Sequence, residues 1–360
     1  MRIIYFTHSL LSCWNHGNAH FQRGILRALI ARGHQAVAWE PAQSWSRENL
    51  MAEAGPPGDV PGLVSHIYPS EADIEAALEG ADLVIVHEWN DPALVARIGR
   101  ARLQGRFTLL FHDTHHRAVS DPEAIRRFDL SLYDGVLAFG QTLARVYEDW
   151  GWRGFVFVWH EAADTTVFRP PARACERSGA VWIGNWGDGE REAELESFLL
   201  APAARAGVAL DIHGVRYPQA ALAMLRRYGA RYHGWLPNAA VPASFARHCF
   251  TVHVPRRFYT QALPGIPTIR VFEALACGIP LISAPWEDCE GLFRPGLDFL
   301  VAHDGDEMEK HMRSVLHDGA LARALAASGL ARILACHSCD VRAGELMAIV
   351  AGITGAAVAA

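Results

Sequence analysis

Pro264-Gly-Ile-Pro-Thr-Ile-Arg-Val-Phe-Glu-Ala-Leu-Ala-Cys-Gly-Ile-Pro280 decides how this chain is read. Pro264, Gly265 and Pro267 punctuate a turn, and Thr268 is a residue type that caps helix N-termini. Gly278 falls where a left-handed residue ends a helix, and Pro280 bars continuation. A short helix between two loops is therefore expected, followed by a strand. At about 100° per residue, Val271, Phe272, Leu275 and Ala276 share one side while Arg270 and Glu273 share another. Amides around Ile266, Thr268 and Ile269 at a positive helix end form an anion site. A carboxylate one turn deeper can accept hydrogen bonds from sugar hydroxyls. Together these groups suit a nucleoside diphosphate and its ribose. The plainer reading is a surface pair between residues three apart, worth roughly a few tenths of a kcal/mol.

Outward from this segment, strands and helices alternate along all 360 residues, the pattern of parallel sheets. Strands are expected at 3–9, 35–39, 81–87, 107–112, 134–139 and 155–160, with helices at 20–31, 92–102, 122–130 and 142–150. A Pro- and Arg-containing linker over 168–179 interrupts the run. The alternation restarts at 180–184, 210–213, 231–233, 250–254 and 281–284. Two α/β domains are thus predicted, 1–168 and 179–338, with 339–360 forming a closing helix. Ligands on such sheets bind beyond the carboxyl ends of the strands, so the chemistry is sought in the loops that follow them.

Composition narrows the classes. Half the residues are hydrophobic and there are 11 tryptophans, as in a globular protein with sizeable cores. The net charge of −6 leaves no basic footprint for nucleic acid. Lys310 is the single lysine, which excludes a P-loop or Schiff-base lysine elsewhere. Cys336-His-Ser-Cys339 is a lone CxxC with no second pair, pointing away from zinc. Seven scattered cysteines and a start that runs straight into a strand fit the cytoplasm. The apolar tail 346–360 falls short of the ~20 residues that span a bilayer, and peripheral membrane contact stays open.

Several pieces carry a resemblance. The segment Arg270–Pro280 resembles the donor-site signature of GT-B glycosyltransferases, especially the CgeB-like branch related to family-4 enzymes. Many family-4 members carry Glu, seven residues, Glu. The second position matches Glu273, whereas the first is Gly265, a departure that bears on donor-sugar identity and stereochemistry. Thr7–Gly33 is similar to the opening of these enzymes, Glu161–Pro170 to their interdomain segment, and Val181–Asn185 with Arg191 to the start of their donor domain. Tyr232–Leu236 resembles the segment that meets the nucleobase. The resemblance implies GT-B architecture, two Rossmann-like domains facing a cleft, the first for the acceptor and the second for the donor.

The activity so implied is transfer of a sugar, a hexose, from a UDP- or GDP-linked donor to an unknown acceptor, with retention and without metal or other cofactor. Asn185, Arg191, Gly234, Trp235, Leu236, Ile266, Thr268, Ile269 and Glu273 would hold the nucleotide. A micromolar complex needs about −8 kcal/mol, and one helix end supplies only about 0.3–2 kcal/mol. Arginine is therefore required, and Arg191 and Arg270 are the candidates. Arg270, with His115 or His116 from the loop His112-Asp-Thr-His-His116, would serve catalysis. His112, Asp113, Gly17 and Asn18 would contact acceptor or sugar, although Asn18 also suits a plain N-cap. Trp14, Trp89 and Trp186 fall near strand ends, where indoles stack on sugar rings or pack in cores. Asp304-Gly-Asp306 looks like a metal-binding DxD motif, but a helix cap explains it better. The rival functions are a nucleotide-sugar epimerase or hydrolase on this fold, and a non-catalytic CgeB-like surface or spore protein.

Overall fold

Apolar runs such as Leu83-Val-Ile-Val are buried on both faces, which only a sheet covered by helices on each side permits. The computed structural model describes residues 1–69, 74–173, 175–187 and 189–359. These divide into two units, 1–161 with 339–360, and 162–338.

The first unit is built on seven strands: β1 (Arg2–Phe6), β2 (Gln35–Pro41), β3 (Ser65–Tyr68), β4 (Leu83–His87), β5 (Thr108–Asp113), β6 (Gly135–Ala138) and β7 (Phe155–Val158). They pair in parallel in the order β3-β2-β1-β4-β5-β6-β7. Strand β3 escaped the sequence reading because it is a short edge strand, largely exposed and only partly apolar. The terminal helix Cys339–Ala359 belongs to this unit and lies along the helix Asn18–Ala31. Trp159 Nε1 donates to the Arg342 carbonyl at 3.0 Å, and Arg342 Nε donates to that of His160 at 3.0 Å.

The second unit has six parallel strands: β8 (Ala180–Ile183), β9 (Leu210–His213), β10 (Arg231–Tyr232), β11 (Phe250–His253), β12 (Leu281–Ser283) and β13 (Leu300–Val301). Their order is β10-β9-β8-β11-β12-β13. Trp182, Leu199, Val252 and Met312 share one apolar cluster, and Val181, Phe245, Phe272 and Ile333 share another. Residues 162–168, expected in the first domain, group with this unit because Ala163 and Phe168 bury in the second cluster.

Asp304-Gly-Asp306 opens the helix 305–317. The Asp304 side chain accepts from the amides of Asp306 at 3.0 Å and Glu307 at 2.8 Å, capping the helix. The helix Gly319–Cys336 is long and apolar enough to cross a membrane by length and composition. One side of it, Leu325, Gly329 and Ile333, is nonetheless buried within the second unit.

Asp211 on β9 holds the sheet edge. It accepts from Arg231 at 2.7 and 3.0 Å, from His233 at 2.7 Å and from His248 at 3.0 Å. Burial would raise its pKa, but the bonds from Arg231, His233 and His248 prevail and hold it below the usual carboxylate range. A depressed carboxyl stabilises above the unfolded pKa of about 3.9 and loses that effect as pH falls toward the folded value. Asp211→Ala is expected to cost about 2 kcal/mol at pH 7. In thermal melts the gap from wild type should narrow below about pH 4.

Candidate functional site

The helix Ile269–Ala276 follows the loop after β11 and buries Val271, Phe272, Leu275 and Ala276 as its spacing requires. This fixes the other face. Glu273 is fully buried, and Arg270 donates Nη1 to its Oε2. The pair is therefore internal, not the surface pair weighed above, and a charge so placed is tolerable only with a partner. Thr268 occupies the N-cap position, yet its side chain makes no cap hydrogen bond, contrary to expectation. The first-turn amides are left uncapped by it, as an incoming anion would need. Ile266 is buried and Ile269 half-buried beneath this helix start.

Gly265 has φ +87°, and a Cβ there would stand 2.4 Å from Cys289 Sγ. The departure from the two-glutamate pattern is thus built into the backbone, since a side chain would meet both a left-handed φ and a collision. Gly265→Ala should cost roughly 1–3 kcal/mol in denaturant unfolding. Gly265→Glu should be no better, despite restoring the residue type.

Beside this helix the loop after β8 is threaded by arginine. Arg191 donates to the carbonyls of Val254 at 3.0 Å and Asn185 at 2.8 Å, and to Asn185 Oδ1 at 2.9 Å. Its guanidinium lies 5.1 Å from the Trp182 ring centre. Burial first, then the nearby charge of Arg256, draws Arg191 down to about 9, and Arg270 contributes in the same direction. Arg191 is thus a buried strut for the loop. Arg256, missed in the sequence, donates to Glu190 Oε2 at 2.5 Å and to Asn185 Oδ1 at 3.1 Å. It comes from the loop after β11, and only folding brings it to Asn185.

The loops after β8, β9 and β10 interlock. Gly214 has φ +157°, and a Cβ on it would fall 1.9 Å from the Gly184 carbonyl oxygen. Its amide donates to the Gly234 carbonyl at 2.8 Å. Tyr217 and Tyr232 pack with ring centres 4.6 Å apart and His213 stacks on His233 at 4.9 Å, so this edge is aromatic. Gly234 takes φ +74°, and Trp235 and Leu236 follow it half-buried.

In the first unit the loop after β5 holds a polar network. His112 is not available to a ligand: it is buried between Phe21 and Trp159, and its Nδ1 meets the Tyr5 hydroxyl at 2.5 Å. Asp113 is equally buried, accepting from Tyr147 Oη at 2.7 Å and the His115 amide at 3.1 Å. Both hold the loop after β5 in place. Glu88, fully buried, pairs with Arg117, and burial pushes its carboxyl up against that arginine's pull. Thr114 Oγ1 takes a bond from Asn18 Nδ2 and lies 2.9 Å from His87 Nε2. Asn18 is the first helical residue after Gly17, so its side chain tethers the loop after β5 and does not cap. His116 is buried with Nδ1 2.9 Å from Ser120 Oγ, while His115 stays half-buried against Trp89. Trp186 is buried in the second unit's core and does not offer a face to a sugar. Among the described residues no group of His, Cys, Asp and Glu is placed to hold a metal ion.

Residues 191–348 match a family model described as glycosyl transferase-like. No curated protein matches the chain by sequence. Among solved structures, sucrose-phosphate synthase from Thermosynechococcus elongatus superposes with a TM-score of 0.71 at 15% identity, covering 99% of this chain and 100% of that one. The fold is GT-B. HepE of Anabaena, in complex with UDP and glucose, matches at 0.68 with 14% identity over 98% of this chain and 100% of its own. An alpha-glucosyltransferase in complex with UDP and a 13-mer DNA matches at 0.70 with 13% identity, over 98% and 99%. In this GT-B chain, therefore, the helix Ile269–Ala276 and the arginines near it lie inside the matched region.

The first unit also carries a pH dependence. Burial brings His8 to about 4 and His112 to about 3, and holds His16 and His87 well below their ordinary value. Unfolding lets each take up a proton below about pH 6.5, so each removes up to about 1.4 kcal/mol of stability per pH unit lost. Melts between pH 7 and pH 5 should therefore show a steep fall in Tm. His112→Gln, which retains a polar group beside Tyr5, should make that fall shallower.

Proposed function

We propose that the protein is a glycosyltransferase that moves a sugar from a nucleoside-diphosphate donor to an acceptor, the second unit holding the donor and the first the acceptor. The observation that carries this reading is the fully buried Glu273, paired with Arg270 one turn inside an uncapped helix start. The glycosyl transferase-like match across 191–348 supports it. Uridine is the base to test first, since HepE and the alpha-glucosyltransferase were solved with UDP.

In the reaction the bond between the anomeric carbon and the diphosphate oxygen breaks, its electron pair leaving with the phosphate. A bond forms from the acceptor oxygen, which gives up its proton. The amides of Ile266, Thr268 and Ile269, with Arg270, stabilise the charge gathering on the leaving group. Glu273 accepts from the ribose hydroxyls. His115, half-buried beside Trp89, is the candidate for the acceptor side, and the buried His116 orients it. Hexose transfer, retention and independence of metal belong to the same proposal. Seven free thiols support work in a reducing compartment such as the cytoplasm.

Calorimetric titration with UDP tests the assignment. Glu273→Gln keeps the shape of the side chain and removes its charge, and should weaken UDP binding by about tenfold, near 1.4 kcal/mol. A folded variant that binds UDP as wild type does would remove Glu273 from the site.

A further inference from the structure

We propose that Trp14, Trp45 and Trp89, gathered around His8, bind a neutral sugar ring of the acceptor. This rests on the transferase reading and gives it an acceptor class. The three indoles come from the segments after β1, β2 and β4, adjacent strands of the first sheet. That is the edge where parallel sheets bind ligands. Each indole is half-buried, whereas Trp159, Trp182, Trp186 and Trp286 are fully within cores. Keeping three tryptophans partly in water forgoes burial that a core would have supplied.

The geometry favours a ring with an apolar face and a polar rim. Trp14 and Trp45 have centres 6.4 Å apart at 72°, and Trp45 and Trp89 6.1 Å at 75°. The His8 ring lies 4.5 Å from Trp45 and 6.4 Å from Trp89. Indoles so inclined pack edge to face and leave their half-exposed outer surfaces to a ring; they do not form the parallel pair that would sandwich a flat aromatic group. A pyranose lays its C–H face on one indole while its hydroxyls reach polar atoms around it. His16 Nε2 and Arg117 Nε are buried there without hydrogen-bond partners among the described residues. His16 sits 5.5 Å from His8, and Arg117 lies 4.0 Å over the Trp89 ring.

The cluster is held rigid. Burial keeps His8 uncharged at neutral pH, and Arg117 is paired with Glu88. Glu40, wholly buried on β2, accepts from Ser9 Oγ at 2.6 Å, the Leu10 amide at 2.9 Å and Ser65 Oγ at 2.7 Å. Ser46 Oγ donates to the Trp14 carbonyl at 2.8 Å and lies 2.9 Å from Ser12 Oγ, and its amide reaches His8 Nε2 at 3.4 Å. These bonds fix the loop carrying Trp14 to the helix carrying Trp45, so little ordering remains on binding.

Saturation-transfer NMR on the full chain, with maltose, cellobiose, lactose and methyl mannoside as probes, tests this. At least one probe should bind. Trp45→Ala and Trp89→Ala should each weaken it by about tenfold, and Trp45→Phe, which keeps a stacking ring, should stay within about threefold. UDP titration of the same samples reports whether the second unit is folded. Loss of sugar binding with UDP binding intact supports the sugar site. Sugar binding that survives both alanine substitutions, or a wild type that binds UDP and none of the probes, overturns it. A wild type that binds a probe through Trp45 but no UDP supports the sugar site and sinks the donor assignment instead.

Discussion

A carboxylate wholly removed from water, with an arginine one turn above it, is the constraint on which the second unit's chemistry depends. Glu273 is buried there with Arg270 as an ion-pair partner. The helix can carry that pair inward only because Val271, Phe272, Leu275 and Ala276 anchor its opposite side. Burial of the apolar face and presentation of the polar pair are thus one event. The Thr268 side chain leaves the first-turn amides of that helix uncapped.

Close approach also governs the surrounding loops, where glycine backbone meets its neighbours too closely for a side chain. Gly214 sits almost against the Gly184 carbonyl, and Gly265 sits against Cys289. Both positions exchange side-chain function for proximity. In the first unit the opposite device appears: buried polar side chains staple loops together. Glu40 ties the loop after β1, and Asp113, with Tyr147, ties the loop after β5. Rigid strand ends follow from satisfied polar groups in one unit and from glycine contacts in the other.

Much of the fold could be read from periodicity. The runs at Leu83–His87 and Leu210–His213 are buried on the sheet, and Pro92–Arg102 forms a helix where its pattern says. The edge strand Ser65–Tyr68 could not be read, because an exposed strand carries no apolar alternation. The pairing of Glu273 with Arg270 was visible because they stand three positions apart on one helix. Arg256 was not, since it reaches Asn185 only through the packing of β11 beside β8. His112 was misplaced for a related reason: in a His-rich stretch at a strand end, the sequence does not say which ring turns into the core. Trp45 was overlooked because it opens a helix, and only the sheet order brings it to Trp14 and Trp89.

Hydrogen–deuterium exchange with and without UDP tests the central claim most directly, because it reads the backbone amides themselves. The account predicts slowed exchange at residues 266–270 and in the loop 184–187, with little change along β1 to β7. UDP that binds yet leaves 266–270 exchanging as before would contradict it.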